Sequence, residues 1–125
     1  MPIPDDVRRF VAAHVVSVPQ LEALLLLKAT PEAWTAARAA ARLYLSEAAV
    51  APLLEQLETT GLVVREGTVE QPTWRYAPQA PGLDALCARL EDAYARHLVV
   101  VTRLIHSRGD RSAQRFADAF KWRKD

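Results

Sequence analysis

The segment LYLSEAAVAPLLEQLETTGLVV, Leu43 to Val64, constrains this chain more than any other. Ser46 can accept a hydrogen bond from the first turn of a helix, and Val50, Leu53, Leu54 and Leu57 then recur at intervals of three and four, forming one apolar stripe. Gly61 supplies the left-handed residue that ends such a helix. LVVRE and TWRYA follow, two β-prone runs separated by GTVEQP, whose Gly67 and Pro72 mark a loop. A hairpin with a long, mobile tip is expected there. A capped helix running through a glycine stop into a hairpin leaves few small folds open.

The residues before that segment read as three more helices. Asp5 and Asp6 precede Val7, Phe10, Val11 and Val15, an acidic start to a helix reaching about Val16. Ser17 and Gln20 have capping-box spacing, Pro19 suits a first turn, and Leu21, Leu24 and Leu25 share a face up to about Ala29. Thr30 before Pro31 breaks the pattern; Thr35 then caps AARAAARL, and Leu43 to Leu45 form the turn.

Helix, short helix, turn, helix, glycine and hairpin is the order of a winged helix-turn-helix. The chain resembles that superfamily, and within it the MarR-like transcriptional regulators, through Thr35, Ala39, Ala40, Leu43, Leu45, Ser46, Val50, Leu53, Leu54, Leu57, Gly61 and Leu62. The resemblance implies a mainly α fold with a small β-hairpin, a winged helix-turn-helix plus a long C-terminal helix. It also implies a homodimer joined by its terminal helices and bound to palindromic DNA, sometimes released by a small ligand.

The helix that would enter the groove is chemically odd for that task. Its outward positions are Glu47, Ala48, Ala49, Ala51, Pro52, Glu55 and Gln56, of which only Gln56 is a good reader of base edges. Glutamates repel phosphates. Pro52, well inside the helix, removes a backbone bond at about 3 kcal/mol or kinks the helix. The expected DNA contacts are therefore Arg38, Arg42, Gln56, Arg65 and Arg75, used mostly on the backbone. The alternative is that these arginines are ordinary surface groups, some paired with Glu55, Glu66 or Glu70. The small apolar face of Ala48, Ala51 and Pro52 suits a protein partner, or is a bare helix surface.

After the linker PQAPG, one long helix is expected from Leu83 to about Ser107. Leu83, Leu86, Leu90, Tyr94, His97, Val101 and Leu104 would form a dimerisation stripe, with Cys87, Val100 and Ile105 beside it. Folding of that stripe onto the first two helices is the other use. Phe116, Ala119 and Phe120 suggest a last short helix.

At 125 residues the chain suits a single domain, with a winged-helix core over 17–78 and a helical extension over 82–125. Residues 103–125 hold seven of the 16 basic side chains and only three of the 15 acidic ones, so the tail is the basic part. No apolar run approaches the length of a membrane span and the first ten residues lack a signal core, which leads to an expectation of a cytoplasmic protein with no membrane partner. His14, His97, His106 and Cys87 share no ligand spacing, and no phosphate loop, nucleophile elbow or paired carboxylates stand out. Neither metal, cofactor nor enzymatic activity is expected.

Overall fold

The computed structural model describes residues 3–107. Helices α1 (Asp5–His14), α2 (Val18–Ala29), α3 (Ala36–Leu43) and α4 (Glu47–Thr59) precede strands β1 (Val63–Gly67) and β2 (Pro72–Tyr76). Helices α5 (Leu83–Arg96) and α6 (Leu98–Ser107) follow. The basic residues beyond Ser107, and the short helix expected around Phe116, Ala119 and Phe120, lie outside the described residues.

The helix ends are set by their own side chains. Ser17, Thr35 and Ser46 each accept from the backbone N–H three residues on, at 3.2, 3.1 and 3.1 Å. Gln20 also reaches back to accept from the N–H of Val16 at 2.6 Å, which lets a nearly fully buried amide sit in an apolar core. Gly61, at φ +79°, closes α4: the N–H of Leu62 donates to the carbonyl of Leu57 and that of Gly61 to Glu58, with Leu57 and Leu62 both buried. This is the paired bonding expected of a left-handed helix stop. α4 runs through Pro52 as one helix, and Pro52 and Ala48 are both exposed, so the carbonyl that the proline deprives of a donor lies on the outer side of the helix.

The hairpin pairs Val63 with Tyr76 through Gly67 with Pro72. Gly67 and Pro72, read from sequence as loop, are thus the last rung of the ladder. The tip shrinks to Thr68–Gln71, where the N–H of Gln71 donates to Thr68 Oγ1 at 2.9 Å. A glycine is required at 67: φ is +83°, and a β-carbon there would stand 2.5 Å from the carbonyl oxygen of Gln71.

Trp34, expected in a break between helices, instead forms an isolated antiparallel bridge to Trp74. It adds a one-residue third strand on the far side of β2. One apolar cluster runs through the molecule, from Leu21, Leu24, Trp34, Val50, Leu54, Leu57 and Trp74 to Val7, Val11, Cys87, Leu90, Val101 and Ile105.

The C-terminal helix is not continuous. His97 (φ −133°, ψ 52°) interrupts it, although neither glycine nor proline is present. Tertiary burial accounts for the interruption, since α5 and α6 place Leu90, Val101 and Ile105 in the same cluster as Val7 and Val11 of α1. A fully buried aliphatic side chain contributes about 1.5–3 kcal/mol, and three of them outweigh a few lost helical bonds. No single helix among the described residues is long and apolar enough to cross a membrane.

Candidate nucleic-acid interface

The sequence directs attention to α3, α4 and the hairpin, and the packing of α4 determines what they present. Val50, Leu54 and Leu57 face the core, leaving Glu47, Ala48, Pro52, Glu55 and Gln56 exposed and Ala51 half-buried. Gln56 lies near the C-terminal end of α4. With Pro52, Glu55 and Thr59 it lines an open groove of about 440 Å³ against Ala13, His14 and Val16, at the α1–α2 corner. A second groove of about 350 Å³ separates the starts of α3 and α4 from the hairpin, and Glu47 and Glu70 are among its lining residues. No lysine or arginine lines it. The turn before α4 adds Tyr44, 94% exposed and left-handed at φ 58°.

The four arginines have separate fates. Arg38 pairs with Glu32 and lies over the Trp34 ring at 4.0 Å, a stacked guanidinium. Arg42, one turn on, stands 5.8 Å from the same ring and has no carboxylate partner among the described residues. Arg75 donates from Nε to Glu66 at 3.1 Å and from Nη1 to the Pro31 carbonyl at 3.4 Å. Arg65 donates to Glu58 of α4 at 3.0 Å, and the indole N–H of Trp74 donates to the same carboxylate oxygen at 3.1 Å.

Strand alternation separates the last two. Arg65 is opposite Trp74 and shares its face, turned to α4, while Arg75 is opposite Val64 and projects from the other face. The two arms of the wing therefore do not offer their arginines to one surface. Of the carboxylates suggested as partners by sequence, Glu66 has that role; Glu32 and Glu58 were not anticipated. Nothing in their spacing announces them, because each is brought in by a tertiary approach.

In the C-terminal segment, Leu90 and Val101 are fully buried in this chain, and Leu83, Leu86, Tyr94, His97 and Leu104 are half-buried. The exposed apolar residues are instead consecutive: Leu98, Val99 and Val100, at 52, 60 and 39%. Close by the hairpin, the Tyr76 hydroxyl donates to Asp84 Oδ1 at 2.6 Å, and burial and that carboxylate both push its pKa up. Burial likewise pushes up the thiol of Cys87, which fits a small core residue rather than a reactive one.

Comparison with solved structures bears on the architecture. A MarR family transcription regulator aligns over 93% of this chain and 82% of its own, with a TM-score of 0.56 at 20% identity. The fold is the MarR-type winged helix. A multiple antibiotic-resistance repressor from Listeria monocytogenes aligns over 95% of this chain and 82% of its own (TM-score 0.53, 19% identity). CouR from Rhodococcus jostii, in a structure bound to p-coumaroyl-CoA, aligns over 89% and 80% (0.52, 22%). No protein-family model and no curated protein sequence matches the chain. In the MarR-type frame, α4 is the helix after the turn and β1–β2 the wing, as the residue pattern predicts.

Proposed function

We propose that this chain is a winged-helix transcription regulator that holds DNA as a dimer, through the phosphate backbone and with little direct reading of bases. The observation that carries the reading is Arg42. It is an exposed guanidinium with no carboxylate partner among the described residues, at the end of α3 and a short turn before α4, where the first helix of such a motif meets the backbone. The short side chains of Ala48 and Ala49 would let α4 approach a groove closely while contributing no more than methyl contacts.

Dimerisation is assigned to the exposed Leu98–Val100 surface and the neighbouring half-buried Tyr94 and Leu104. Three consecutive exposed aliphatic residues beside a covered core suit a symmetric partner surface. Ligand-controlled release, suggested by the complex of CouR with p-coumaroyl-CoA, is not assigned to any pocket.

A second reading, a winged-helix module that binds protein and not DNA, is favoured by a different observation: Tyr44 and Pro52 are exposed near Glu47 and Glu55, and phosphates would be repelled there. A mobility shift on random and palindromic duplexes at graded salt separates the two. The regulator binds at low salt with a steep salt dependence that Arg42→Ala reduces by about one phosphate contact. Absence of any shift at low salt leaves the protein-binding module.

A further inference from the structure

Three of the four motif arginines converge on one short stretch of chain. Arg38 and Arg42 lean over the Trp34 ring, and Arg75 is fastened to the carbonyl of Pro31, three residues earlier. Trp34 is in turn bonded to Trp74, the neighbour of Arg75 in β2. Arg65 is set apart by its contacts, since it pairs with Glu58 of α4 and lies over the ring of Trp74, not that of Trp34. Two carboxylates accompany the three cations: Glu32 on Arg38 and Glu66 on Arg75.

We propose that Arg38, Arg42 and Arg75 form one contact patch for the DNA phosphodiester backbone around the Trp34 edge strand, and that Glu32 and Glu66 are internal counter-ions which the phosphates displace. This rests on the DNA-binding reading above and specifies which arginines the backbone meets. The chemistry favours exchange. Each guanidinium is already oriented, by a ring or by a main-chain carbonyl, so little side-chain freedom remains to be lost on binding. Both ion pairs are solvent-exposed, with side chains 42–48% accessible, and such pairs are weak enough to be replaced by a phosphate whose own counter-ions are released. With both carboxylates engaged, Arg42 is the one of the three with no carboxylate partner among the described residues, so the patch attracts DNA weakly; with both displaced, three cations act together.

The test is a salt titration of duplex binding by the full chain, comparing wild type with the Glu32→Gln/Glu66→Gln double variant. Glutamine keeps the size and hydrogen-bonding capacity of each side chain, and circular dichroism checks the fold. The double variant is expected to bind random-sequence duplex about fivefold tighter per freed arginine at low salt. Its plot of log affinity against log salt should keep about the wild-type slope, because both proteins end with the same three phosphate contacts, while Arg38→Ala or Arg75→Ala should each flatten it by about one. Binding by wild type with no gain in affinity in the double variant, or with a slope that Arg38→Ala and Arg75→Ala leave unchanged, overturns this inference and leaves the DNA reading standing. The same holds if Arg65→Ala flattens the slope as much as Arg75→Ala. If neither protein shifts duplex at low salt, the DNA reading itself falls, and this inference with it.

Discussion

Trp34 and Trp74 exchange both backbone hydrogen bonds, each 2.8 Å long, across 40 residues of chain. This pair ties the loop before α3 to the second strand of the wing, and each indole is anchored separately: Trp34 Nε1 donates to the Thr30 carbonyl and Trp74 Nε1 to Glu58. The orientation of the hairpin relative to α3 and α4 therefore depends on two tryptophans and not on the hairpin's own ladder alone.

Trp34→Ala is accordingly expected to destabilise the protein by about 3–5 kcal/mol, the range for deleting a fully buried large aromatic side chain. Urea unfolding followed by far-UV circular dichroism measures this. Loss of less than about 1 kcal/mol would mean the ring is dispensable and the wing is held by the strands themselves.

A second expectation concerns the C-terminal helices. Leu98→Lys/Val99→Lys should give a folded protein that light scattering finds as a monomer, because both side chains are exposed in the isolated chain. Leu90→Lys should behave differently, losing more than about 3 kcal/mol through an unpaired charge in the core. A wild-type monomer at micromolar concentration would count against the assigned dimer surface.

Alkaline pH supplies the third. The folded state holds Cys87 and Tyr76 protonated beyond their ordinary values of 9.0 and 10.0. The unfolded chain releases those protons first, so stability is complete below about pH 9 and falls as pH rises through and above the unfolded values. Urea midpoints at neutral pH and at about pH 10.5 should show the decline, and Cys87→Ala should lessen it. A thiol reagent should label native protein slowly at neutral pH and unfolded protein at once.

Much of the fold is legible in the residues because local signals and tertiary packing agree there. Ser17, Thr35, Ser46 and Gly61 mark boundaries by chemistry that works within four residues, and the Val50–Leu57 stripe directs α4 inward. The misreadings occur where a distant partner decides. The Trp34 bridge requires β2 to exist first, and Gly67 with Pro72 become a rung because the hairpin extends past its apolar residues. The interruption at His97 obeys the needs of the core against a spacing that reads as one long helix. At the candidate interface, the shortage of base readers on α4 is visible in sequence, while the opposed faces of Arg65 and Arg75 depend on ladder register and the pairing of arginines with Glu32 and Glu58 on folding.

That opposition across the ladder has a practical result for mutagenesis. Neutralising Arg65 removes its tie between the wing and α4, whereas neutralising Arg75, beyond losing its long bond to the Pro31 carbonyl, takes a positive charge from the outward face of the wing. Two substitutions ten positions apart, identical on paper, should thus register in different instruments, one in the calorimeter and the other in the gel.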